Sequence, residues 1–298
     1  MFRFEDGRYV FAPLEGIKTI PKEEIRFPDG LLIRPTPEII EWNIGLKCLF
    51  SMPMTPRYCL QYFEPLPKKD IMTSISSEKQ MEIVDRIEAI MSLLRLYKQG
   101  RVGHNLVFSV KIFKHEKSPV TLVEFFRYGS MIPILEASYE IQPTEINDLI
   151  SFWIDYYGKI RFPNELQDKN LKWALSRFNL ATSRFNQIEK ILDIIITFEI
   201  LFTSGRLRLA IEVATFLAKK EDEWVKIYDD VYEGYDLRSK IVHGEIIKAK
   251  HEEALHRLLP RLEEYARLAL RKAIDLNETK RERRCIIWQN FKTSLRKF

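Results

Sequence analysis

The sequence predicts two domains, an α+β domain followed by an all-α helical bundle. In the first half of the chain, short runs with alternating apolar residues are separated by turn dipeptides, which is typical of strands. From about residue 165 to residue 276 these signals disappear, and apolar residues recur at helical spacing. The 298 residues, 46% of them hydrophobic, are enough for both cores. We place the boundary near Pro163, which gives the ranges 1–163 and 164–276 and leaves a terminal segment, 277–298.

The N-terminal range contains the signals of strands and of two helices. "FRFEDGRYVF" (2–11) and "EIRFPDGLLIRP" (24–35) each place an Asp-Gly dipeptide between period-two runs, which predicts two hairpins. A helix is expected to begin after Ser77, because Ser77 and Gln80 have capping-box spacing, and to stop at Gly100. Further strands are predicted over 105–113 and 121–128, and a short helix from Pro143 to about Gly158.

The C-terminal range predicts a series of long helices. Their expected bounds are 168–185, 187–203, 206–219, 222–243 and 251–276. The second is apolar on almost every face, which is typical of a helix in the centre of a bundle.

Several functional classes lack support in the composition. The most apolar run, 190–202, contains two acids and is shorter than a membrane span. The N-terminus lacks the basic start and apolar block of a secretion signal, so we expect a cytoplasmic protein without membrane contact. The three cysteines form no CxxC pair and are expected to be reduced thiols that fill cores. Phosphate-loop, dinucleotide, zincin and hydrolase motifs are missing from the sequence, so no cofactor is predicted.

An acidic residue in the apolar second helix points to a buried ion pair. Glu199 follows Phe198 and precedes "ILF", so its carboxylate leaves a helix that is expected to be surrounded by others. A buried carboxylate costs several kcal/mol unless a cation and hydrogen bonds compensate it. We therefore predict that Glu199 pairs with Arg238 and orients its guanidinium, since an arginine fork can hold a carboxylate and a phosphate together.

The predicted partner lies in a polar segment, "YDLRSKIVHGE" (235–245). Ser239, Lys240 and His243 lie near one stripe of the helix, whereas Arg238 is rotated about 140° from His243. The two side chains can converge through the reach of the arginine, through a distorted last turn before Gly244, or through a second copy of the helix. A solvated helix end, with a cation and a histidine near the negative end of the helix dipole, is the simpler interpretation of the residues alone.

The C-terminal half resembles the HEPN domains (higher eukaryotes and prokaryotes nucleotide-binding), specifically the Apea-like group of prokaryotic defence proteins. The resemblance covers residues 165–276 and is carried by "ALSRFNLATSRFNQIEKILDIIITFEILF" (174–202) and by the R-x4-H motif Arg238 to His243, followed by Gly244. It implies a HEPN-like helical bundle and a metal-independent endoribonuclease that cleaves RNA through the 2′-hydroxyl, in antiviral defence or as a toxin.

The resemblance also implies roles for single residues and partners. Arg238 and His243 would be the catalytic pair, Ser239 the polar neighbour and Glu199 the acid of the motif. Two facing copies would form a homodimer with a shared cleft, and an antitoxin or defence partner would control it. Some members carry a tyrosine two residues after the histidine, which a partner modifies. Glu245 occupies that position here, so the sequence does not favour this form of control.

The terminal segment is strongly basic. Residues 277–298 contain seven basic and two acidic residues. The net charge of this segment is therefore +5, the same as that of the whole chain. Arg281, Arg283 and Arg284, together with Lys240, are the candidate RNA-binding cations, and nearby aromatic residues can stack on unpaired bases. A terminal helix that packs Ile286, Ile287 and Phe291 on the bundle and leaves its cations in solvent explains the segment equally well.

Three functional classes remain open from the sequence. The first is the endoribonuclease. The second is a non-catalytic RNA- or nucleotide-binding module that uses the same cations. The third is a helical adaptor protein. In each, residues 1–163 would sense a signal or bind a partner.

Overall fold

The computed structural model describes residues 5–19, 24–35, 58–66, 74–104, 106–114, 119–128, 138–162, 165–246 and 248–295. The chain divides into two compact units, Met1–Tyr157 and Gly158–Phe298. The division lies inside a helix and a few residues before the predicted boundary, which falls outside the described residues. An α+β unit is followed by a helical unit, as the sequence predicts.

The first unit contains an antiparallel sheet. Within the described residues its strand order is β3-β4-β5-β1-β7-β8, with β6 paired to β1, while β2 and β9 form a separate parallel pair. One face carries a packed cluster that includes Phe11 and Phe108, whose ring centroids are 5.7 Å apart. The strand bounds are β1 Gly7–Glu15, β2 Ile17–Thr19, β3 Ile25–Arg26, β4 Leu32–Pro35, β5 Tyr58–Pro65, β6 Gly103–His104, β7 Leu106–Lys114, β8 Pro119–Tyr128 and β9 Tyr139–Glu140.

One of the two predicted hairpins is confirmed. Strands β3 and β4 pair in antiparallel register around Pro28-Asp29-Gly30, and Gly30 has the positive φ of +82° that this turn requires. The other prediction is wrong, because Gly7 begins strand β1, and β1 pairs with β5 on one edge and β7 on the other. Both edges are occupied over Gly7–Phe11, so no hairpin partner fits there.

The helices of the first unit lie close to the predicted bounds. Helix α1 spans Ser77–Tyr97, and its N-cap is Ser76 rather than Ser77, with the Ser76 hydroxyl accepting from the Lys79 amide at 3.3 Å. The predicted short helix is a 3₁₀ turn, Pro143–Glu145, that continues into α2, Ile146–Arg161. The expected strands over 105–113 and 121–128 correspond to β7 and β8.

The second unit consists of helices in its described residues. Helix α4 packs against α3, α5, α6 and α7, which confirms that the apolar second helix of this region is central. Ile191, Ile194 and Phe198 on it are fully buried. The helix bounds are α3 Leu171–Ser183, α4 Gln187–Leu201, α5 Arg206–Leu217, α6 Glu221–Val242, α7 Ala249–Leu276 and α8 Lys280–Leu295.

Candidate functional site

The polar segment of the sequence is the C-terminal end of helix α6. Gly244, at a φ of +73°, donates its amide to the Ile241 carbonyl at 3.1 Å, and Glu245 donates to the Lys240 carbonyl at 2.9 Å. These two bonds are those of a Schellman motif, in which a glycine in the left-handed conformation ends the helix. His243 is therefore the C-cap residue, and its side chain is exposed at the helix end.

The predicted pairing of Glu199 with Arg238 is confirmed. The Arg238 Nη2 donates to Glu199 Oε2 at 3.2 Å, so an ion pair joins α4 to α6. Both side chains are partly buried, with 16% of Glu199 and 25% of Arg238 exposed. The Arg238 Nε is buried and has no hydrogen-bond partner in the described part of the chain. The Tyr235 ring lies 5.5 Å from the guanidinium and holds it from another side.

The structure does not bring His243 to Arg238 within one chain. The two residues are separated by five positions around α6, which turns their side chains about 140° apart. The last turn is not distorted enough to close this gap, because His243 still donates its amide to the Ser239 carbonyl at 3.0 Å. The imidazole makes no hydrogen bond or ion pair to any described residue, so it faces solvent.

Lys240 belongs to a surface network on α6. Its Nζ contacts Asp236 Oδ2 at 2.6 Å, and Arg206 of α5 reaches Asp236 Oδ1 at 2.9 Å. These cations, Lys240 foremost through its hydrogen bond, hold the pKa of Asp236 below its usual value. Lys240 is thus a partly buried and partly neutralised cation.

The basic terminal segment forms helix α8, and its arginines have different environments. Arg283 was predicted to bind RNA, but its side chain is 0% exposed and makes an ion pair with Asp168 at 3.0 Å. It also donates to the Leu201 carbonyl at 2.9 Å. Lys280 likewise donates to the Glu199 carbonyl at 2.8 Å. These cations satisfy carbonyl groups in the last turn of α4, where a helix has no partners of its own.

Arg281 and Arg284 line an open pocket of about 480 Å³, together with Lys280. Arg284 Nε donates to Glu212 Oε1 at 3.1 Å, and Trp288 Nε1 donates to the same oxygen at 2.7 Å. Glu212 is fully buried on α5. The residues around the pocket are Arg208, Lys280, Arg281, Arg284, Cys285 and Trp288.

Sequence reasoning missed the internal role of Arg283 and the contribution of α5 to this pocket. A usable signal was present, because Arg283 lies one helical turn before the buried Ile287 and therefore on the same face. The expected packing of the terminal helix is found for Ile287 and for Phe291, which stacks on Trp224 at 6.2 Å, whereas Ile286 is 42% exposed.

Comparisons with known proteins provide no family for this chain. No protein-family model matches the sequence. Searches of curated proteins and of solved structures likewise give no significant match. The functional argument therefore depends on the residues and their geometry.

The described residues contain no helix that is long and apolar enough to cross a bilayer, and no cluster of three or more His, Cys, Asp or Glu side chains suited to hold a metal ion. Cys59 is buried, as expected of a core thiol, and burial raises its pKa to about 12. Cys285 is exposed, which contradicts that expectation, and Cys48 lies outside the described residues.

Proposed function

We propose that this chain is an endoribonuclease of the HEPN type, which cleaves RNA without a metal ion through the 2′-hydroxyl of the substrate. The observation that carries the proposal is the ion pair between Glu199 and Arg238. The pair holds a guanidinium at the surface between α4 and α6 with a buried Nε, and such a cation suits the charge of a phosphorane.

The proposed chemistry needs one proton acceptor and one proton donor. The 2′-oxygen attacks the phosphorus and its proton passes to an imidazole. The bond from phosphorus to the 5′-oxygen then breaks, and that oxygen takes a proton from a second imidazole. The products are a 2′,3′-cyclic phosphate and a 5′-hydroxyl. An imidazole can serve in either role near neutral pH.

A homodimer would supply both imidazoles. His243 is exposed at the end of α6 and diverges from Arg238 of the same chain, so two α6 helices that face each other would place two histidines and two arginines in one cleft. Ser239, one position from the arginine, would contact the phosphate in this arrangement. A defence partner or antitoxin that covers the cleft would control the activity.

The test is cleavage of single-stranded RNA in the presence of EDTA. The wild-type protein is expected to produce cyclic phosphate ends, and His243→Ala is expected to lose about 100-fold or more of the rate, because general acid and base catalysis contributes at least that much. His256→Ala is the matched control, since His256 is also an exposed histidine of the helical unit and forms a surface hydrogen bond with Gln187. Equal cleavage by His243→Ala would remove the site assignment.

A non-catalytic RNA- or nucleotide-binding module is the second candidate. It is favoured by the divergence of Arg238 and His243 within one chain, which a binding site tolerates and a catalytic pair does not. Binding of RNA that is recovered intact after long incubation with the wild-type protein, at concentrations where dimers form, would support this function instead.

A further inference from the structure

The pocket between α5 and α8 has the charge of an anion-binding site. Four of its six lining residues are cations, contributed by α5 (Arg208) and by the first turns of α8 (Lys280, Arg281 and Arg284). None of the lining residues is acidic. Glu212 lies beneath them, is fully buried and makes an ion pair with Arg284. One carboxylate does not balance four cations, so the cluster keeps an excess of positive charge.

The cations of the pocket are held close together and repel one another. A bound anion would reduce this repulsion. Burial, followed by repulsion from Arg284, lowers the pKa of Lys280. The Lys280 ammonium is anchored by the Glu199 carbonyl, and Arg284 by Glu212, so neither can move away from the other freely. A phosphate group between them would interact with both charges.

The pocket also has a rigid aromatic wall. The indole of Trp288 is fixed by its hydrogen bond to Glu212 and by the edge of Phe291, at 5.6 Å between centroids. Arg208 lies 5.5 Å over the ring. A fixed, partly exposed ring beside cations is the combination that binds a base and its phosphate together.

Trp288 is the first ring of a row that leads away from the pocket. Phe291 stacks on Trp224 at 6.2 Å, and Trp224 stacks on Tyr228 at 5.3 Å along helix α6. The row continues to Tyr232 at 5.7 Å, where Arg206 lies 4.5 Å over the ring. Because this row follows α6 toward Arg238, a strand of several nucleotides fits the surface better than a single nucleotide does.

We propose that the pocket of Arg208, Lys280, Arg281 and Arg284 binds a phosphate of single-stranded RNA, with the adjoining base against Trp288 and the following nucleotides along the aromatic row. This site is separate from the cleavage site. The choice of RNA as the strand rests on the proposed function. Lys280 connects the two sites, because it lines the pocket and also bonds to the backbone of Glu199, whose carboxylate holds Arg238.

The experiment measures binding without cleavage, so that its failure is distinct from failure of the nuclease. The full chain carries His243→Ala to stop cleavage and Cys48→Ser, which leaves Cys285 as the exposed thiol at the pocket, with Cys59 buried. The probes are an oligouridylate of about eight nucleotides, uridine monophosphate and inorganic phosphate. The readouts are the rate of Cys285 alkylation and the dissociation constant from fluorescence anisotropy or competition.

We expect the oligouridylate to slow alkylation of Cys285, and Arg208→Glu with Arg281→Glu to weaken its binding by about tenfold or more at low salt. Both arginines are exposed, so the variant is expected to fold. The matched control, Lys172→Glu with Lys250→Glu, makes the same change in net charge on exposed positions of α3 and α7 and should alter affinity by less than about threefold.

Three outcomes would overturn the proposal. They are alkylation that RNA does not slow, equal loss of affinity in the control variant, and binding of uridine monophosphate or inorganic phosphate as tight as that of the oligonucleotide. Cleavage by the chain with native His243 is measured separately. If the chain with an intact pocket does not bind RNA there, while the chain with native His243 cleaves RNA, this inference alone is contradicted.

Discussion

Two arginines in the first turns of helix α8, Arg281 and Arg283, have opposite environments, and this difference predicts their contributions to stability. Arg283 is fully buried and donates to Asp168 and to the Leu201 and Glu278 carbonyls. Burial lowers its pKa, while Asp168 opposes that effect. Removing it leaves a buried carboxylate without its cation, and breaking such a pair costs about 3–5 kcal/mol. We therefore expect Arg283→Ala to lower the free energy of unfolding of the helical unit by that order, measured in urea.

Arg281 provides the matched control for this measurement. It is exposed two positions away on the same helix, so Arg281→Ala should change the unfolding free energy by no more than about 0.5 kcal/mol. Similar destabilisation by both variants would contradict the structural role of Arg283.

Glu199 and Arg283 illustrate which single residues the sequence can place. Glu199 was predictable, because an acid in an apolar helix requires a cation, and Arg238 lies in the polar segment 235–245. Arg283 was wrongly assigned to RNA binding, because in "KRERR" every basic residue has the same local composition. Only the direction in which each side chain leaves the helix distinguishes them. Whether that direction leads to the interior depends on which side of α8 packs against α4.

The end of helix α6 depends on the backbone of Gly244, which sets the position of His243. An alanine at a φ of +73° experiences strain in the left-handed region, although a Cβ there would contact nothing within 4 Å. We expect Gly244→Ala to destabilise the helical unit by about 1 kcal/mol, measured by thermal or urea unfolding.

Gly158 is the opposite case and serves as the control. It lies within helix α2 without a positive φ, and a Cβ there also contacts nothing within 4 Å. Gly158→Ala should therefore increase stability by about 0.5–1 kcal/mol, since alanine is the better helix former. A destabilising Gly158→Ala together with a neutral Gly244→Ala would contradict this account of the helix end.

The Asp236 network on α6 predicts a stability difference that depends on pH. Lys240 and Arg206 lower the pKa of Asp236 in the folded chain below its ordinary value of 3.8. Its contribution is therefore present above about pH 3.8 and is lost as the pH falls through the lower, folded-state pKa. Because the network is partly exposed, Asp236→Asn should cost less than about 1 kcal/mol at neutral pH.

Urea unfolding of both chains from neutral pH to about pH 2.5 tests this prediction. The difference in unfolding free energy between wild type and Asp236→Asn should shrink toward zero at the acidic end. A difference that stays constant with pH would show that the carboxylate charge is not its source.

The secondary structure was predictable where one local signal determined it. The Pro28-Asp29-Gly30 turn and Gly244 each determine the local backbone conformation through a glycine. The hairpin and the end of the helix lie at the positions that the sequence predicts. The Asp6-Gly7 dipeptide predicted a hairpin that does not form. Strand β1 is central in the sheet, and its two partners, β5 and β7, are distant in sequence. Tertiary pairing thus overrides a local turn preference, which no short window can show.

At the level of the whole protein, the sequence could identify the candidate site but not assemble it. Both predicted elements exist, since Arg238 is paired with Glu199 and His243 ends helix α6. They diverge on one helix, so the proposed reaction requires a second chain to complete the cleft. A local pattern contains no information on how two copies would meet, so the sequence alone could not specify the cleft that the proposal needs.

The proposed shared cleft predicts how the cleavage rate responds when wild-type and mutant chains are mixed. If one cleft needs a histidine from each chain, a dimer with a single His243→Ala chain is inactive. Random pairing of equal amounts of wild-type and His243→Ala chains leaves about one quarter of the dimers with two wild-type chains. Co-refolded mixtures should then retain about one quarter of the cleavage rate given by the same total concentration of wild type. His256→Ala mixed in the same way should leave the rate unchanged, and a fall to about one half with His243→Ala would mean that each chain cleaves RNA independently.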